Sequence, residues 1–349
     1  MASTTAVRAA AAPVPDERHS GAFASRRAKR RYVLILSLLI ILAAASGIGL
    51  LAWGNPMPFG TEGFWIIARG RANLILVMLV VAFAQAVATV SFQTAANNRI
   101  ITPSIMGFES LYRAIQTSTV YFFGLTGLIA IQGIPQFLIQ VALMVALAVA
   151  LYSWLLSGKY GNLQIMLLVG IVIGGGLGSI STFMQRLLTP SEFDVLAARM
   201  MGNLGNARDE YLPVAIPLVL TAGILLLART PRLNVLALGR EAATSLGVDH
   251  RRELIRVLFF VSILMAVSTA LVGPMTFFGF LVATLAYQFA DTYDHKYIFP
   301  IAVLLGFTVL AGAYFIMRHV FYAYGIVSII IELIGGSVFL IVILRKGRL

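Results

Sequence analysis

The chain of 349 residues contains no cysteine, which excludes a disulfide framework, a thiolate metal site and a thiol nucleophile. Charge is scarce: Asp, Glu, Lys and Arg make up 11% of the sequence, against about 25% in a soluble domain. Histidine is rare too. His19, His250, His295 and His319 are scattered over tail and loops, with no spacing that suggests a metal cluster. No Gly-x-x-x-x-Gly-Lys-Ser/Thr loop is present, so nucleotide binding of that kind is excluded. Neither a Gly-x-Ser-x-Gly elbow nor a paired-aspartate arrangement falls within an apolar stretch, which leaves no hydrolytic centre in a membrane segment. The expectation is a chain without catalytic residues, without a metal and without covalent chemistry of its own.

What is abundant is apolar surface: 59% of the residues are hydrophobic and the mean hydropathy is +0.90. A helix needs about 20 mainly apolar residues to cross a bilayer. Apolar runs of that kind fall near 32–53, 74–96, 103–124, 134–157, 163–186, 210–228, 253–272, 275–290, 297–318 and 325–344, with Gly54-Asn-Pro56, Gly133-Ile-Pro135, Pro190, Pro213 and Gly273-Pro274 as punctuation. The fold class predicted is an all-α polytopic membrane protein of about ten spans. The span at 273–290 is short and opens irregularly, so its backbone must be buried in protein if it lies at membrane depth. Residues 1–31, Ala-rich and basic, read as a disordered tail. The run from Val33 to Leu51 is too long for the apolar region of a secretory signal and reads as a retained first span. Residues 32–349 form the transmembrane domain.

The net charge of +12 follows from topology rather than nucleic-acid binding. With the N-terminus in the cytoplasm, 19 Lys and Arg fall on inner segments and six on outer ones, namely Arg69, Arg71, Arg186, Arg199, Arg208 and Arg318. That bias predicts both termini inside.

Between two spans lies a soluble-looking stretch, residues 234–250. Leu238, Ala242 and Leu246 recur at i, i+4 and i+8, which predicts one short amphipathic helix with Gly247 as its stop. Arg229, Arg232, Arg251, Arg252 and Arg256 flank it. Such a helix either rests on lipid headgroups or is gripped by a soluble partner, and the residues alone leave both open. Charges within spans are costly and therefore informative. Glu109 and Arg113 are four apart and are expected to pair on one helical face. Glu332 has no sequence-local partner, which leaves a wet pathway and buried packing equally open. Gly170, Gly174, Gly175, Gly176 and Gly178 crowd the fifth span, either to pack helices closely or to line a path.

The run Phe92-Gln-Thr-Ala-Ala-Asn-Asn-Arg-Ile-Ile-Thr-Pro-Ser-Ile-Met-Gly-Phe-Glu-Ser-Leu-Tyr112 resembles a signature of the FecCD-type iron–siderophore ABC importer permeases, the family that includes the vitamin B12 importer permease. Its form, Asn98-Arg99-Ile100-Ile101-Thr102-Pro103 followed by Met106-Gly107, is similar to that of the anguibactin and petrobactin permease subgroup. Gly239 to Val248 resembles the family's coupling segment. Gly273-Pro-Met-Thr-Phe-Phe-Gly279 resembles the run that opens its eighth span, and Ile334-Gly335-Gly336 the start of its tenth. The chain departs from the family pattern at Ala283-Thr284, at Arg71-Ala-Asn-Leu74, where a second arginine is missing, and at Glu332.

The resemblance implies a type II ABC importer permease of the bacterial cytoplasmic membrane. Its implied partners are two cytoplasmic ATPase subunits that bind ATP and Mg, a second and non-identical permease, an extracytoplasmic binding protein and a ferric siderophore. It assigns ATPase coupling to Leu238, Gly239, Glu241, Ala242, Leu246 and Gly247. Arg69, Arg71 and Arg318, among the few outer cations, are expected to dock the binding protein. The resemblance assigns the pathway to the fifth and tenth spans, where Gly174, Gly175, Gly176, Gly178, Gly335, Gly336 and the costly carboxylate of Glu332 are the residues expected to line it. Import of vitamin B12 or haem is the alternative within the family. A secondary transporter would need its own ion sites in discontinuous helices, and the missing carboxylate cluster speaks against it.

Overall fold

The computed structural model describes residues 21–130, 133–157, 163–322 and 326–346. Among these residues every regular element is helical. The helices are α1 (Arg26–Ala52), α2 (Glu62–Ala95), α3 (Phe108–Ala130), α4 (Ile134–Ser157), α5 (Leu163–Gln185), α6 (Pro190–Met200) and α7 (Leu212–Leu227). They continue with α8 (Thr230–Leu236), α9 (Arg240–Ser245), α10 (His250–Val272), α11 (Phe278–Ala290), α12 (His295–His319) and α13 (Val327–Lys346). Eight are long and apolar enough to cross a bilayer. The expected third and eighth spans, α3 and α11, fall short of that measure for local reasons. The first turns of α3 carry Glu109 and Arg113, and Gly124 breaks its helical geometry. Only 13 residues form α11.

The bundle is built around α2 and α10. From Val77 to Ala95 α2 is buried on nearly all sides, and alanines at 82, 84, 86 and 88 let its neighbours come close. Against it pack α7, α10, α11 and α12, while α4 packs on α10. In contrast α1 touches the bundle along one edge, through Tyr32, Leu39 and Leu50, and leaves Leu34, Ile41 and Ile48 exposed.

Two expected boundaries are corrected. The first helix starts at Arg26, inside the segment read as tail, because Ser25 caps it by accepting from the Ala28 amide at 3.1 Å. Phe23 is anchored between Tyr32 and Tyr297. Residues 1–20 of that tail lie outside the described residues, as do Lys159 and Arg348. The second helix starts at Glu62 rather than 74, capped by Thr61. Its first turns carry Arg69, Gly70, Arg71 and Asn73, which mask the apolar signal.

The irregular run before α11 is buried, as the short span required. Residues Gly273, Pro274 and Met275 are enclosed, and neighbouring backbone groups are paired: Asn203 donates to the Val272 carbonyl at 2.8 Å and Ser328 to that of Gly202 at 3.1 Å. Non-helical backbone at this depth is thus satisfied by protein.

Candidate functional site

At the end of the bundle that carries the start of α1, the stretch 234–250 is not one helix. It splits into α8 and α9 at Gly239, whose φ of 92° only glycine adopts without strain. The predicted continuous stripe is therefore corrected: Leu238 sits in the turn and Leu246 after α9. Both are nonetheless exposed, at 63% and 62%, with Glu241 exposed and Ala242 half-buried between them. Gly247 closes the segment at φ 79°. This monomer surface presents two bare leucines on a rigid hairpin of short helices.

Sequence reading missed what fixes that hairpin. Glu253, 2% exposed, accepts from Arg229 Nη1 at 2.5 and 2.8 Å and from Arg232 and Arg256 at 3.2 Å each. The basic flank thus has a buried acidic centre that ties α8 to the first turn of α10. On the other side Asn234 of α8 reaches the buried His295: its Oδ1 lies 2.6 Å from His295 Nδ1 and accepts from the His295 amide at 3.1 Å. The other ring nitrogen lies 2.6 Å from the Thr94 hydroxyl at the end of α2. These bonds link α8 to α2, α10 and α12. No local motif marks Asn234 and His295, which are far apart in sequence.

At the opposite end Arg69 is exposed and Arg318 half-exposed, its Nη1 donating to the Tyr314 hydroxyl at 3.2 Å. Arg71 corrects the expectation. It is 8% exposed and caps the end of α1, donating to the carbonyls of Leu50, Leu51, Trp53 and Gly54 at 2.7–3.3 Å. Those carbonyls have no partner within their own helix, and a planar guanidinium can satisfy several at once. Arg71 is thus committed inside the chain and offers no free charge to a partner.

At mid-bundle the glycines divide. A Cβ on Gly174 would stand 3.0 Å from the Gly107 Cα, and one on Gly170 3.2 Å from the Met106 carbonyl oxygen, so these two pack α5 against the start of α3. Gly174 is thereby a packing residue, whereas Gly175, Gly176 and Gly178 border open space. Gly335 packs on Phe277, with Gly336 beside the same ring.

Glu109 and Arg113 form no ion pair within 4 Å among the described residues. Glu109 is buried and accepts from the Thr276 hydroxyl at 2.5 Å, which joins α3 to the irregular run before α11. Arg113 is exposed. Glu332, also exposed, stands on α13 within electrostatic range of both, so it has neighbours that the sequence could not reveal. Arg113 and Glu332 are thus exposed in the single chain, whereas Glu109 is buried. By contrast the recess between α3, α4 and α5, about 440 Å³, is walled by Met106, Leu111, Leu151, Trp154 and Ile173 and does not suit a charged chelate.

Comparison with known proteins identifies the family and the fold. The FecCD transport family matches residues 32–345. A petrobactin import system permease protein of Bacillus anthracis, FatC, is 52% identical over 334 residues, which covers 96% of this chain and 94% of that protein. A petrobactin import system permease protein of Bacillus subtilis (strain 168), YclO, is 37% identical over 80% of this chain and 88% of its own length. Among solved structures, a chain described as an inward-facing conformation of a metal-chelate type ABC transporter superposes with a TM-score of 0.74 at 24% identity, covering 90% of this chain and 99% of that one. This last likeness speaks to the fold.

Proposed function

This chain belongs to the FecCD transport family, and from that premise we propose that it is the membrane-spanning permease subunit of an ABC importer for a ferric siderophore of the petrobactin type. The observation that carries the reading is the likeness, over nearly the whole chain, to a petrobactin permease. The chain performs no covalent chemistry. Separate ATPase subunits bind ATP and Mg and drive an alternation between outward- and inward-open states, a population shift biased by their closure.

In this reading both termini lie in the cytoplasm, on the side favoured by Lys and Arg. That places α8 and α9 before an ATPase, which takes Leu238, Ala242 and Leu246 into a groove, and Glu253 and His295 pass its movement into the bundle. Arg69 and Arg318 then face outward and meet acidic lobes of an extracytoplasmic binding protein. A second, non-identical permease completes the path, facing Gly175, Gly176, Gly178 and the charges at 113 and 332. The asymmetry of charge between the two ends of the bundle supports this placement.

The test is uptake by cells deleted for the gene. Loss of growth and of radioiron uptake on ferric petrobactin, with uptake of haem and cobalamin unchanged, is the predicted result. Undiminished petrobactin uptake, or selective loss of haem or cobalamin uptake, contradicts it.

A further inference from the structure

The family match begins at residue 32, and the short segment before it is built into the bundle. The Ala22 carbonyl accepts from the Thr292 hydroxyl, in the turn between α11 and α12. Beside it the half-buried Phe23 ring lies 5.2 Å from the ring of Tyr32 on α1 and 4.8 Å from that of Tyr297 on α12. The two tyrosine rings are 5.4 Å apart and edge-on, and the Tyr32 hydroxyl donates to the Tyr297 carbonyl at 3.2 Å. All three separations fall in the range where aromatic rings attract beyond their burial. Ser25 then caps α1. Residues 22–25 thus form a strap across the start of α12.

The turn under the strap carries one anchor of the coupling hairpin. Thr292 also accepts from the Asp294 amide at 3.3 Å. Asp294 uses one oxygen for two helices: its Oδ1 caps α12, accepting from the Lys296 amide at 3.0 Å, and accepts from Asn234 Nδ2 of α8 at 2.9 Å. Asn234 Oδ1 in turn accepts from the His295 amide. The side of α8 away from Glu253 is therefore held by a turn that the strap grips at Thr292 and Tyr297. Crossing the bilayer does not require this, because α1 is long and apolar enough from Arg26 onward.

We propose that Phe23 is a positioning residue for coupling: with Ala22 it fixes the α11–α12 turn, so that Asp294 and His295 hold α8 at a set angle to the bundle. This rests on the reading of α8 and α9 as the ATPase-facing hairpin. Without the strap α8 stays tied to α10 through Glu253 but loses its fixed relation to α12. Part of the ATPase's movement is then absorbed in that slack.

The test uses the transporter assembled in proteoliposomes from this chain, its partner permease and the ATPase, supplied with binding protein and ferric petrobactin. Two quantities are read together: import per ATP hydrolysed, and hydrogen–deuterium exchange of residues 230–236. Phe23→Ala should lower import per ATP about fivefold, the scale of a lost coupling contact, and should deprotect α8. Phe23→Tyr, which keeps the ring, should restore both. Thr292→Val removes the bond to the Ala22 carbonyl at nearly constant volume. It should shift both readouts in the same direction by less, and it serves as the test variant if Phe23→Ala does not fold. A ring that serves stability alone would lower the thermal midpoint and leave import per ATP at the parent value. That result, or a lowered ratio with α8 protection intact, overturns the assignment. Ala242→Asp separates the strap from the reading on which it rests. Uncoupling by Ala242→Asp with a parental ratio in Phe23→Ala overturns the strap alone, whereas a parental ratio in both removes the hairpin from the ATPase interface.

Discussion

Arg71 and Arg69 stand two residues apart on the same helix, yet only one is available to a partner. The guanidinium of Arg71 closes the carbonyl end of α1, so reversing its charge should damage the fold before it damages docking. Arg71→Glu is expected to cost about 3 kcal/mol or more, by losing charge-assisted bonds and burying a carboxylate against carbonyls. Thermal denaturation in detergent measures this; unchanged stability with slower docking would return Arg71 to the docking surface. The capping box of α6 yields a pH dependence. Glu192 accepts from the Thr189 amide at 3.0 Å and from its hydroxyl at 2.8 Å, and these bonds, the backbone one first, hold its carboxyl below the usual carboxylate range. A depressed pKa contributes stability above the unfolded value that is lost as pH falls through the folded one. The protection factors of amides in residues 190–200, referred to the intrinsic exchange rate at each pH, should therefore fall on acidification below the ordinary glutamate pKa, and Glu192→Gln should blunt that response. A pH-independent pattern would show that the box does not hold the helix.

Legibility differed among elements for physical reasons. Long apolar helices were readable because a bilayer demands a contiguous run. The buried, irregular run from Gly273 was readable from Gly-Pro and from the shortness of the apolar stretch behind it. Helix α6 is announced by Thr189-Pro-Ser-Glu192, a capping-box pattern that carries no long apolar run. Gly239 marks the break between α8 and α9, but an i, i+4, i+8 count treats glycine as just another residue and passes over it. The Glu253 centre and the Asn234–His295–Thr94 chain join residues far apart in sequence, which no local pattern encodes. Ala242→Asp places a charge between two exposed leucines without touching the anchors at Glu253 and His295. Membrane insertion and subunit expression should be retained, while ATP hydrolysis loses its dependence on substrate-loaded binding protein and uptake falls at least tenfold. Normal uptake at equal expression would remove residues 238–246 from the ATPase interface.

For the whole molecule, the sequence placed Glu109, Arg113 and Glu332 in spans but could not say that Glu109 turns inward to Thr276 while Arg113 and Glu332 stay exposed. A pair of charges four apart reads as an ion pair only when no better partner exists, and Thr276 provides one for Glu109. An exposed carboxylate facing hydrocarbon would cost about 2.5–3.5 kcal/mol on insertion scales, a penalty that an aqueous cavity between two permeases relieves. The absence of native cysteine makes this accessible to labelling. Single cysteines replacing Glu332 and Gly176 should react with a small polar maleimide in the assembled transporter and change reactivity when ATP is trapped. A cysteine replacing Leu34, on the outer side of α1, should stay inert. Equal inertness of positions 332 and 34 in every nucleotide state would place the path elsewhere.

The proposed function is vectorial transport of an iron chelate powered by partner subunits. Proteoliposomes that contain this chain with its partner permease and ATPase, supplied outside with binding protein and radiolabelled ferric petrobactin and inside with ATP and Mg, measure it directly. ATP-dependent accumulation of label in the lumen, absent when ATP is replaced by a non-hydrolysable analogue, is the predicted result. Accumulation that proceeds equally without ATP, or none at all while the same vesicles hydrolyse ATP in response to loaded binding protein, would contradict it.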